Sequence, residues 1–122
     1  MKIDKLKKEI EKIKNDIEKS HKRIYFLELL VKLDQEPIYN DDNLDTIIYK
    51  KYLDIENVSN VAKWLNEQGY RLESPVTGEM IKYKSTDISA ILTDKKIDVR
   101  ADLKEAVQQL FIENKNKAMK RW

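Results

Sequence analysis

The residues best equipped to hold a ligand bracket one short stretch, "STDISAIL", at residues 85–92. Lys82 and Lys84 lie just before it, Lys95, Lys96 and Arg100 just after it, and Arg71 further upstream. Ammonium and guanidinium groups gathered in this way suit phosphate oxygens, which accept charge-assisted hydrogen bonds from them. If Ser85 caps the stretch as a helix, Ile88, Ile91 and Leu92 face inward. Thr86, Ser89 and Ala90 then face outward, and hydroxyls and a methyl are all they can offer a base edge. Arg, Asn and Gln, which read bases bidentately, are missing from that face.

Other chemistry is poorly supplied. The chain has no cysteine, so disulfides, thiolate chemistry and cysteine-based zinc sites are excluded. The one histidine, His21, stands among Lys19, Lys22 and Arg23 and is expected to be solvated. Asp41 with Asp42, and Glu73 with Glu79, are pairs that could be cast as acid and base, but they stand where turns and caps call for carboxylates anyway. No glycine-rich phosphate loop or nucleophile motif accompanies them. The expectation is a binding protein, not an enzyme, with no metal and no cofactor.

The elements that must position these residues are mostly helical. Of 122 residues, 38% are charged, and glycine and proline occur twice each, a composition that suits long solvated helices better than a turn-rich sandwich. Residues 1–34 carry a heptad pattern, with Ile3, Ile10, Ile17, Ile24 and Val31 at a, and Leu6, Ile13, Ser20 and Leu27 at d. A stripe this narrow cannot stabilise a lone helix in water, so the segment is expected to form a coiled coil, most simply with a second copy of the chain. An internal hairpin with a later helix is the alternative. "DQEPIYNDD" breaks the helix and divides the chain into residues 1–34 and a globular part, 35–122.

In the globular part Asp42 is placed to cap a helix through "NLDTIIYKKYL", and Asn57 to cap "VSNVAKWLNEQ", which Gly69 would stop. A short hairpin, a wing-like element, is expected within residues 70–84, where "YRL" and "MIKY" flank Pro75 and Gly78. A last helix begins near Asp98 and buries Val99, Leu103, Ala106, Val107, Leu110 and Phe111. Its end, "NKNKAMKRW", bears Lys115, Lys117, Lys120, Arg121 and Trp122, either a phosphate-binding arm or a solvated terminus.

"VAKWLNEQGY", a polar loop and "STDISAIL" together resemble the helix-turn-helix segment in the recombinase domain of large serine recombinases. Ala62, Leu65, Asn66, Gly69, Ile91 and Leu92 match that pattern, and "IIYKKYL" stands in the place of the preceding helix. The resemblance spans residues 43–93, with no room for a catalytic serine domain, and "TDKKID" replaces the asparagine-proline turn of the family. What it implies is DNA binding without recombination. The net charge of +2 is too small to indicate nucleic acid alone. Its distribution is uneven: ten Lys and Arg against seven Asp and Glu in residues 1–34, three against seven in 35–70, six against five in 71–100, and five against three in 101–122.

The combined expectation is a small cytoplasmic DNA-binding protein, a transcriptional regulator or a phage or plasmid accessory factor. It would dimerise through Ile3, Leu6, Ile10, Ile13, Ile17, Ile24, Leu27 and Val31, and contact duplex DNA through Arg71, Lys82, Lys84, Ser85, Thr86, Ser89, Lys95, Lys96 and Arg100. A protein-binding adaptor or inhibitor of a host protein is the competing expectation. No stretch is apolar for long enough to span a membrane or act as a signal peptide.

Overall fold

The computed structural model describes residues 2–120; Arg121 and Trp122 of the basic tail lie outside the described residues. Five helices and one two-stranded hairpin are present among them: α1 (Lys2–Asp34), α2 (Leu44–Ile55), α3 (Val58–Glu67), β1 (Leu72–Glu73), β2 (Met80–Ile81), α4 (Ser85–Thr93) and α5 (Ala101–Lys120). The chain is mostly helical, as its composition predicts. It divides into two compact units, residues 1–32 and residues 33–122.

The first unit is a continuous helix whose heptad positions Ile3, Leu6, Ile10, Ile13, Ile17, Ile24, Leu27 and Val31 are 44–66% exposed. Such exposure is far more than packed helices leave on an apolar face, so the stripe is unpacked within this unit. On the opposite side Glu18 and Lys22 form an i,i+4 ion pair at 3.6 Å, the solvated support usual for a helix surface.

The second unit is a four-helix core carrying the hairpin. Its fully buried side chains include Leu33, Ile48, Tyr49, Val61, Leu65, Ile88, Leu92, Leu103 and Val107. Apart from Leu33, in the last turn of α1, they lie on the faces that the 3.6-residue period assigns to α2, α3, α4 and α5, with α3 packed most extensively on α4. Pro37 follows the end of α1 closely, and the Glu36 N–H closes the last turn onto the Leu33 carbonyl at 3.1 Å.

Three expected caps are displaced by a residue or more. Asn43, not Asp42, caps α2 by accepting the Thr46 N–H at 2.8 Å. Asp42 is instead drawn into a buried ion pair: its carboxylate accepts from Lys50 Nζ at 2.7 Å and from the Tyr39 N–H at 2.9 Å. Lys50 also donates to the Pro37 carbonyl at 2.9 Å and lies 4.5 Å from the Tyr39 ring centre. A buried ammonium requires this many partners because each one offsets part of its lost hydration.

At α4 the cap position is Lys84, not Ser85, and Asp87 closes the turn by accepting the Lys84 N–H at 2.8 Å. Asp98 does not begin α5; its main-chain carbonyl accepts from the Asn43 amide at 2.9 Å, and the helix starts at Ala101. Asn57 does cap α3, accepting the Asn60 N–H at 2.9 Å. Gly69 follows that helix with φ +89°, a conformation costly to a residue bearing a Cβ.

Candidate nucleic-acid interface

The α3–α4 unit is held by a contact between its ends. Asn66, in the last turn of α3, accepts the Tyr83 N–H at 2.8 Å on Oδ1 and donates from Nδ2 to the Tyr83 carbonyl at 3.0 Å. One carboxamide thus pairs with both main-chain groups of the residue before the α4 cap, as a neighbouring strand would. The Tyr83 ring is buried, which fixes the entry of α4 from the other side. Between the two anchors the chain turns back through the β1–β2 hairpin, in which Leu72 pairs with Ile81 and Glu73 with Met80. A Ser74 N–H to Glu79 carbonyl bond of 2.8 Å and Gly78 at φ +73° close its tip.

This arrangement leaves a groove of about 470 Å³ between α3, the hairpin exit and the α4 N-terminus. Lys63, Arg71, Lys82 and Lys84 line it, opposed by Glu67, with Ser59 and Ser85 at its polar edges. Four residues expected to contact DNA, Arg71, Lys82, Lys84 and Ser85, are therefore gathered at one place. Lys63 is a fifth that sequence reasoning passed over; its place one residue after buried Ala62 on α3 was the available signal. The α4 N-terminus at the groove adds the positive end of a helix dipole, which attracts anions and is already used by the Asp87 carboxylate bonded to the Lys84 N–H.

Arg71 departs from the expectation of an arginine reaching out of a loop. Its Nη1 donates to the Asn66 carbonyl at 3.1 Å and the Tyr70 carbonyl at 2.7 Å, satisfying the open C-terminal end of α3. It contributes charge to the groove from a fixed place.

The remaining expected residues lie elsewhere. Thr86 is exposed on the first turn of α4, whereas Ser89, with Ala90 and Thr93, faces a separate groove of about 520 Å³ shared with α2, α3 and α5. Lys95, Lys96 and Arg100 follow the C-terminal end of α4, about 13 Å along a nine-residue helix from the cationic groove.

Their surroundings are acidic. Burial, then the charges of Asp94 and Asp98, raise the Asp45 carboxyl above the ordinary aspartate value. Lys95 Nζ donates to Gln108 Oε1 at 3.3 Å. The Lys96 N–H donates to the Asp94 carboxylate at 2.9 Å. Arg100 contacts both Glu36 carboxylate oxygens at 3.0 Å and also donates to Asp102, bonds that raise its pKa further, with Asp102 the larger cause. The Arg100 guanidinium is thus engaged by two carboxylates while half of its side chain stays exposed.

The acidic end also contains a buried polar network. Tyr49, wholly buried, donates to the Ile91 carbonyl at 2.8 Å and accepts from Gln108 Nε2 at 3.0 Å. Gln108 Nε2 donates in turn to the Asp94 carbonyl at 2.9 Å. These bonds satisfy carbonyls at the C-terminal end of α4, as Asn66 and Asp87 secure its start.

No group of His, Asp and Glu suited to a metal ion occurs among the described residues, and no helix among them is long and apolar enough to cross a membrane. No protein-family model matches the chain, and no curated protein or solved structure matches it significantly.

Proposed function

We propose that the globular unit binds duplex DNA, seating the groove between α3 and the α4 N-terminus on backbone phosphates and laying the start of α4 against the major groove. The observation that carries this is the gathering of Lys63, Arg71, Lys82 and Lys84 around one groove that ends at a helix N-terminus. Phosphate contacts of this kind position a protein on DNA without reading sequence. Thr86, exposed on the first turn of α4, then supplies a hydroxyl contact, which favours a reader of limited base discrimination. The resemblance of this helix, loop and helix to the recombinase-domain segment supports the same assignment. Two such units joined by their N-terminal helices would address paired half-sites, as a transcriptional regulator or a phage or plasmid accessory factor does.

Filter binding of the full chain to duplex DNA over a salt series tests this. Lys82→Glu with Lys84→Glu is expected to lower affinity and reduce the slope of log affinity against log salt by about 2, one phosphate per lysine. An unchanged slope would remove the groove from the interface. Selection from a random duplex library then reports whether paired half-sites are recovered.

A second class of function, a protein-binding adaptor, draws on a different observation. Val76 at the hairpin tip is 90% exposed and Met80 63%, an apolar surface with no use in phosphate binding. Partner capture insensitive to salt, with no duplex binding, would favour it.

A further inference from the structure

The stripe on α1 leaves open which way a second copy would lie against it, and the flanking charges together with the one polar residue in the stripe bear on the choice. In a parallel, in-register pair each g residue faces the e residue five positions later on the partner. On this helix those pairs are Glu9 with Lys14, Asp16 with His21, and Arg23 with Glu28. The first and third are opposite in charge, and the second sets a carboxylate beside an imidazole donor. Only Lys2 with Lys7 is like-charged, and it falls in the N-terminal turns, where repulsion is best tolerated by fraying.

Ser20, the single polar d residue, agrees with this pattern. In register it meets the partner's Ser20, and the two hydroxyls can hydrogen-bond within one layer. An antiparallel pair in full overlap would also match charges, Lys7 with Glu28 and Asp16 with Arg23, but it would place Lys14 beside His21 and set Ser20 against Ile17, leaving a hydroxyl without a partner in an apolar layer. A parallel pair shifted by one heptad sets Ser20 against Ile13 or Leu27.

From these two features we infer that residues 2–31 form a parallel, in-register two-stranded coiled coil with a second copy of this chain. β-Branched residues at every a position favour the same order and orientation. Both chains then leave the coil at the same end, about 10 Å apart. An antiparallel coil of this length would separate the two exits by about 45 Å. This assignment rests on the self-association proposed above but not on DNA binding.

Because the chain has no cysteine, a single introduced thiol reports orientation directly. A disulfide needs Cα atoms within about 7 Å. Leu6 and Val31 stand about 38 Å apart along the helix, so the two orientations cannot be confused. In a glutathione redox buffer, full-length Leu6→Cys and Val31→Cys are each expected to form a disulfide-linked homodimer. In an equal mixture they should form little Leu6→Cys to Val31→Cys hybrid. Preferential formation of that hybrid would establish the antiparallel arrangement and overturn the inference.

Sedimentation of the unaltered chain separates the other failure. A monomer would remove self-association itself, and a trimer would overturn the two-stranded order. As a check on register, Glu9→Lys should weaken the dimer by about tenfold, and adding Lys14→Glu should restore it. Failure of the second change to rescue the first would refute the in-register pairing.

Discussion

Asn66→Leu removes the brace between α3 and α4 while keeping the side chain close to its original size. Two neutral hydrogen bonds, to the Tyr83 N–H and carbonyl, disappear. Each contributes on the order of 1 kcal/mol net, and leaving a buried group unsatisfied costs ~1–3 kcal/mol. Tyr83 is only 6% exposed, so water cannot fully replace the lost partner. A loss of about 2–4 kcal/mol follows, which for a unit of this size lowers Tm by roughly 10–20 °C. Urea unfolding followed by Trp64 fluorescence in a Trp122→Phe background measures it, because Trp64 lies on α3 itself. Asn66→Asp is a sharper control: it keeps an acceptor for the Tyr83 N–H but turns a second oxygen toward the Tyr83 carbonyl. It should be at least as costly at neutral pH. A loss below about 0.5 kcal/mol for Asn66→Leu would show that apolar packing alone sets the α3–α4 geometry and would refute the brace.

Three further outcomes are expected. Asp42→Asn should cost about 2 kcal/mol, less than the ~3–5 kcal/mol for a fully enclosed pair because Asp42 lies at the rim, and Lys50→Met should cost less than Asp42→Asn; chemical denaturation of both variants checks the order. The Lys50 and Tyr39 hydrogen bonds hold the Asp42 carboxyl below its usual value, so its contribution is present above about pH 4 and is lost as pH falls through that lowered value. Tyr49→Phe should cost about 1–2 kcal/mol, and a cycle with Gln108→Leu should reveal coupling above about 0.5 kcal/mol if the two act as one network. Asp45 behaves oppositely to Asp42: its raised carboxyl pKa penalises the fold when ionised. Asp45→Asn should therefore raise Tm at pH 7, with the gain vanishing below about pH 4, where both states are protonated; a gain independent of pH would point to packing instead.

Periodicity carried the local architecture of this protein. The heptad spacing from Ile3 to Val31 determined a long helix with a narrow apolar stripe, and the i, i+3, i+4 spacing of Val58, Val61, Ala62 and Leu65 determined which face of α3 is inside. Gly69 and Asn57 marked the ends of α3 because φ sterics and free N–H groups are properties of a few adjacent residues. Caps misplaced by one residue, as at Asp42 and Ser85, show the limit of that rule: several adjacent polar residues could serve, and tertiary partners decide among them.

Tertiary structure decided which polar and charged groups were already committed. Lys50 is a helix lysine, a residue type seldom buried, yet it is buried because Asp42, Pro37 and Tyr39 converge on it. Arg100 and Lys82 look alike in sequence, but Arg100 meets Glu36, 64 residues away, while Lys82 lines an open groove. Asn66 with Tyr83, and Tyr49 with Gln108, are joined across 17 and 59 residues by the packing of apolar faces that carry no record of those pairings. Local pattern specifies what each element must bury. What its polar side chains then find opposite them is set only when those faces dock, and that in turn leaves Lys63, Lys82 and Lys84 at the cationic groove.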